Sequence, residues 1–148
     1  MTHQPLDSLG GKLVMPHGAT YDPARHLNQM GVRVDYIEGL PDCGRFYLDE
    51  WRVEIRIGLS QVVERSVLAH EAAHAEMRHE QQDIWCRSMK QERLASAMAG
   101  RRLIDFPQFL RLQHAGVAEK DLCVELGVAR VILRAYLWLT EPAWQLVA

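Results

Sequence analysis

His70 and His74 stand four apart in the stretch Leu68-Ala69-His70-Glu71-Ala72-Ala73-His74-Ala75-Glu76-Met77. On a helix, four steps of about 100° overshoot one turn only slightly, so both imidazoles project from one face. Such a pair can reach one small cation, with nitrogens about 2.0–2.1 Å from a zinc ion. Glu71 leans toward the same opening, where a carboxylate can take a proton from water that the cation acidifies. The chemistry this spacing permits is metal-assisted hydrolysis. The plainer alternative is a helix whose two histidines are ordinary polar side chains.

A catalytic zinc site takes three protein ligands and leaves a fourth position to solvent. Glu92 follows His74 by eighteen residues, a reach that suits a loop and the start of the next helix. It falls on one helical face with Ala95, Ser96, Ala99 and Leu103, and a carboxylate on an inward face calls for a cation. The competing reading is a surface glutamate in a helix's first turn, favoured there by the dipole. After Glu92, the next candidates for third ligand are Glu80 and Asp83. Iron or manganese suits a His/His/Glu set as zinc does. His79 and His114 are candidates to help hold an oxyanion.

The elements that must position these groups are legible in outline. Residues 1–20 carry Gly10, Gly11, Pro16 and Gly18 with little periodicity, and are expected to be a flexible lead-in. Asp22-Pro23 opens a short helix that Gly31 ends. Val32, Val34 and Tyr36 alternate as a strand. Arg45 to Leu48 forms a second, and Trp51, Val53, Ile55 and Ile57 share one face of a third, with Asp49-Glu50 as the hairpin turn. The expectation is a small, three-stranded, largely antiparallel sheet. Ser60 caps a helix from Gln61 to about His79, on which Val63, Val67, His70, His74 and Met77 form one stripe. Glu80 to Met89 reads as a loop or fraying end, and Lys90 to Ile104 as a second long helix with a face of small residues.

Asp105 and Gln108 form a capping pair for a short helix that starts with Pro107 in its first turn and ends near Gly116. Glu119–Leu126, Gly127-Val128 and Ala129–Leu139 then read as helix, turn, helix, and Thr140-Glu141-Pro142 caps a last turn in which Trp144 and Leu146 dock back. This is the outline of a DNA-reading helix pair. Its second helix, however, offers only Arg130 and Arg134 beside Tyr136 and Trp138, few charges for phosphates and no amide for base edges. Packing beneath the metal site is the better expectation, and DNA binding the poorer one.

Bulk properties agree. A chain of 148 residues, 48% hydrophobic and 24% charged, suits one α+β domain, read as residues 21–106 for the core and 107–148 for a helical extension packed on it. A net charge of −2 argues against coating nucleic acid. No apolar run approaches the ~20 residues a membrane span needs, and the N-terminus lacks the features of a signal peptide. Cys43, Cys86 and Cys123 form no CxxC pair, which fits free thiols in a reducing, cytoplasmic setting.

With these residues assembled, the chain resembles the ImmA/IrrE metallopeptidase family, especially short phage- and prophage-borne members from actinobacteria. The likeness runs from about Asp22 to the C-terminus. It takes in Gly31-Val32-Arg33-Val34, Leu40-Pro41 before Gly44, Ile57-Gly58-Leu59-Ser60, and the His70-to-Glu76 run. It continues through Glu92-x-x-Ala95, Arg101-Arg102-Leu103-Ile104 and Asp121-Leu122-x-x-Glu125-Leu126-Gly127-Val128. The resemblance implies a zincin-like fold with a helical C-terminal extension, His70, His74 and Glu92 as zinc ligands, and Glu71 as the catalytic glutamate. It also implies a protein substrate, a helix-turn-helix repressor cut at one site to release the genes it holds off. A non-catalytic regulatory module that binds a repressor or DNA through the C-terminal helices is the alternative. Two positions depart from the family pattern: Ser96 stands where asparagine is usual, and Met98 where phenylalanine is common.

Overall fold

The computed structural model describes residues 18–80 and 85–145. The lead-in through residue 17 and the docking of Trp144 and Leu146 lie outside what it describes. In chain order, a 3-10 turn (Gly18–Thr20) precedes α1 (Pro23–Gln29), β1 (Arg33–Ile37), β2 (Gly44–Tyr47) and β3 (Arg52–Arg56). Five helices follow: α2 (Gln61–Glu76), α3 (Trp85–Leu103), α4 (Phe106–His114), α5 (Glu119–Leu126) and α6 (Arg130–Gln145). The architecture is mixed α+β.

The local signals act where they were read. Asp22 accepts from the Arg25 N–H at 3.1 Å, Ser60 from Val63 at 3.3 Å and Asp105 from Gln108 at 3.1 Å, so three helices start on side-chain caps. Gly31 takes φ +73°, the left-handed turn that α1 needs to give way to β1.

The sheet is mixed rather than largely antiparallel. Its order is β1-β3-β2, with β2 antiparallel to β3 and β1 parallel to it. The central position goes to the strand whose inward side chains, Val53 and Ile55, are wholly buried. Residues 38–43 carry the chain across, and the end of β3 is clamped from both sides, Arg56 N–H on Cys43 O at 2.9 Å and Ile57 N–H on Ile37 O at 3.0 Å. Trp51 belongs to the hairpin turn instead of the strand, with φ +49°. Its indole N–H donates to Met30 O at 2.9 Å, which ties the turn to the end of α1.

Three helix boundaries differ from expectation. The first, α2, ends at Glu76 rather than His79, because Arg78 turns left-handed (φ +51°) and the His79 N–H returns to His74 O. The start of α3 is at Trp85, well before Lys90. The last, α6, runs unbroken past Thr140, whose hydroxyl donates to Tyr136 O at 2.7 Å within the helix instead of capping a new turn.

Two apolar clusters hold these elements. On the sheet side, Leu27, Val32, Phe46, Val53 and Ile55 pack on Leu68, Ala72 and Ala75 of α2. On the helical side, Tyr21, Ala69, Ala99, Leu103 and Ile104 pack with Phe109, Leu122, Val128, Ile132, Leu133 and Tyr136. The C-terminal helices therefore share their core with α2 and α3. Small residues make this possible: a Cβ on Gly100 would come within 2.9 Å of Tyr136 Cβ. The Ala129 N–H, entering α6, donates to the buried Ser66 hydroxyl of α2 at 2.9 Å.

Candidate metal centre

The helical stripe of Val63, Val67, His70 and His74 forms the floor of a cleft, and Met77 lies outside it. Ser66, Leu68, Ala69, Ala72, Ala73 and Ala75 make α2's buried contacts, while His70 and His74 face the cleft. From the next helix Glu92 reaches across to them. Its carboxylate meets His70 Nε2 at 3.0 Å and His74 Nε2 at 2.9 Å, and the two Nε2 atoms are themselves 2.9 Å apart. One donor atom from each residue lies within 4.8 Å of the others. Glu92 is more than half exposed and does not lie on the inward, small-residue face of its helix. It sits at the rim and bends in.

This donor set fits a divalent cation. A tetrahedral ion bonded at about 2.0–2.1 Å sets neighbouring donors about 3.3 Å apart, only slightly wider than the observed separations. Two ring nitrogens facing each other across 2.9 Å cannot both accept, so without an ion one must hold a proton; an ion removes that conflict. The remaining ring nitrogens are held from behind. His70 Nδ1 lies 3.0 Å from the buried Ser96 hydroxyl, and His74 Nδ1 lies 2.9 Å from His79 Nδ1. With the Nδ1–H of each ring donated away, both Nε2 lone pairs are aimed at the same point. Ser96 thus holds the His70 ring in place.

Electrostatics follow the same geometry. Glu71 is buried, and burial pushes its carboxyl up to about 7; His74 opposes the shift, the Glu92 charge adds to it, and the Phe46 backbone N–H, turned toward the carboxyl, draws it down. Hydrogen bonds from His70 and His74 hold the Glu92 carboxyl far below the usual range. Burial, with His74 and His70 nearby, keeps His79 less basic than a free imidazole. His79 is therefore suited to accept from His74. It stands behind the His74 ring, at the edge of the cleft.

The cleft around the centre has a volume of about 1120 Å³. One wall is β2, an edge strand. Since Arg56 bonds to Cys43 O, the hydrogen-bonded pairs with β3 are those of Arg45 and Tyr47. Gly44 and Phe46 therefore turn their N–H and C=O groups away from the sheet. The facing wall is α6, with Val131, Arg134, Ala135 and Trp138. The sequence suggests packing of that helix pair beneath the site; that α6 stands as a wall of the cleft follows from the tertiary packing alone.

Other candidates fall elsewhere. Glu80 lines the cleft without joining the ligand group, and His114, at the end of α4, does not line it. Asp83 lies outside the described residues. Cys43 and Cys123 are free thiols. Among the described residues no helix is long and apolar enough to cross a membrane. Comparison of the chain with models of protein families, with curated proteins and with solved structures finds no match.

Proposed function

We propose that the protein is a metal-dependent endopeptidase of the zincin type, with zinc as its expected ion, that cuts a partner transcriptional repressor and so relieves repression. The observation that carries this reading is the convergence of His70, His74 and Glu92 within 4.8 Å, with the buried Glu71 carboxyl on the same helix as the two histidines. The repressor as substrate, and a bacterial cytoplasm as the setting, rest on the resemblance to ImmA/IrrE peptidases alone.

A divalent cation held by His70, His74 and Glu92 supplies Lewis acidity when bound, acidifying water and polarising a carbonyl. Glu71 takes the proton of the attacking water. Its raised pKa brings it near neutrality, where a carboxylate can accept that proton and then pass it to the leaving amine. Ser96 and His79 keep the two imidazoles from rotating. Gly44 and the Phe46 carbonyl offer main-chain groups along β2, to which an extended substrate can add as a strand and so fix its register.

The alternative, a regulatory module acting on DNA through the last helices, has less support. Arg130 and Arg134 both donate to Glu119, at 2.8 and 3.0 Å, so the cations of that helix already face a carboxylate.

The test is metal analysis of the purified protein, joined to incubation with the product of the adjacent regulator gene. About one ion per chain and one discrete fragment are expected. Glu71→Gln should keep the metal and lose cleavage, and Glu92→Ala should lose metal. Cleavage by Glu71→Gln at the wild-type rate would remove the proposed base, and full metal retention by Glu92→Ala would remove the third ligand.

A further inference from the structure

We infer that the cleft-facing stripe of α6 selects the substrate by binding two large apolar side chains, at alternate positions of an extended segment, next to the bond that is cut. This rests on the endopeptidase reading above and goes further, to the class of sequence recognised.

Val131, Arg134, Ala135 and Trp138 follow the spacing of one helical face, and all four border the same cleft as His70, Glu71, His74 and Glu92. The opposite face of α6 is committed to the core through Ile132, Leu133 and Tyr136. The cleft face is not: Val131 is 63% exposed and Trp138 56%. Large apolar side chains left open beside a polar reaction centre mark a binding surface. The Arg93 guanidinium lies 5.2 Å above the Trp138 ring and braces the indole from α3, so the wall is preformed.

The occupant follows from the other wall. The β2 edge presents the backbone groups of Gly44 and the Phe46 carbonyl, which recognise a main chain and not a side chain. The cleft, at about 1120 Å³, is roomier than the ~300–1,000 Å³ typical of small-molecule sites. An extended polypeptide satisfies both. Residues 131 and 138 are two helical turns apart, about 10 Å along the axis, and a strand advances about 3.3 Å per residue. The stripe is thus about three strand steps long, and two residues that are two steps apart (about 6.6 Å), and so turn the same way, fit within it. Val131 and Trp138 each meet one of them.

The experiment uses the zinc-loaded full chain and a pool of unstructured peptides with randomised positions, with the new termini sequenced. Leucine, isoleucine, valine or phenylalanine should be enriched at two positions separated by one residue beside the cut. Trp138→Ala should lower kcat/KM for peptides carrying one of these side chains about tenfold, and Val131→Ser should do the same at the other position. Neither should alter metal content, and the loss should be several-fold smaller for peptides with alanine at both positions. Unchanged preference in both variants, or no apolar enrichment, overturns the inference while leaving the peptidase standing. Absence of zinc-dependent cutting, or equal cutting by Glu71→Gln, overturns the peptidase reading and this one with it.

Discussion

Removing the charge of Glu71 should stabilise the metal-free protein as it abolishes activity. In the unfolded chain this carboxyl titrates near 4.5, and in the fold it is raised to about 7, chiefly by burial. Between those two values the folded chain keeps a proton that the unfolded chain has lost. The folded state therefore binds more protons, and stability falls as pH rises through that window. A shift of roughly 2.5 units at about 1.4 kcal/mol per unit amounts to about 3 kcal/mol, fully felt above pH 7 and gone below 4.5. Glu71→Gln stays neutral throughout. Urea unfolding of wild type and variant, both with chelator, should give curves that draw apart between pH 4.5 and 7, the variant ending about 3 kcal/mol the more stable. For a chain of this size that is roughly 6–12 °C in Tm. Parallel stability curves across the same range would refute the reasoning, since they would mean that burial does not penalise the Glu71 anion.

Three further outcomes follow from single contacts. Ser96→Ala takes the hydroxyl from His70 Nδ1 and should weaken zinc binding about 10–100-fold in a chelator-competition titration; an unchanged Kd would show that the ring needs no such support. Gly44→Ala drives a Cβ to 2.5 Å from Val67 Cγ1, between β2 and α2, and should cost about 1–3 kcal/mol by denaturant unfolding, partly recovered in the double variant with Val67→Ala; full wild-type stability would deny the close approach. His26 is less basic than a free imidazole because it is buried and faces Arg102, with Glu76 opposing. The unfolded chain then binds the extra proton, so stability is complete above pH 6.5 and declines as pH drops below it. His26→Gln should flatten that decline relative to wild type, and identical slopes would exclude His26 as its source.

The parts of this molecule that could be read from sequence are those set within one or two helical turns. His70 and His74 share a face by spacing alone, and Asp22, Ser60 and Asp105 announce their helices because each caps a backbone N–H three residues on. What escaped depends on distant pieces. The parallel pairing of β1 with β3 joins segments about twenty residues apart, something the alternation in Val32, Val34 and Tyr36 does not encode. The support from Ser96 was within reach, since it lies one turn past Glu92 on α3 and so could have been asked to meet the same histidine. His79 gave no periodic signal, because it sits beyond the end of α2 and returns only through the left-handed Arg78. The role of α6 as a cleft wall could not be seen before its docking on α3 was known.

The helix with the two histidines is gripped from both flanks, by Leu68, Ala72 and Ala75 on one side and Ala69 on the other. It can open only when both apolar clusters come apart, so its amides should be among the slowest in the molecule to trade hydrogen for deuterium. Many catalytic groups ride on loops that breathe. Here the backbone that carries His70 and His74 should be among the last to loosen, so the spacing of the two imidazoles is set by the fold itself.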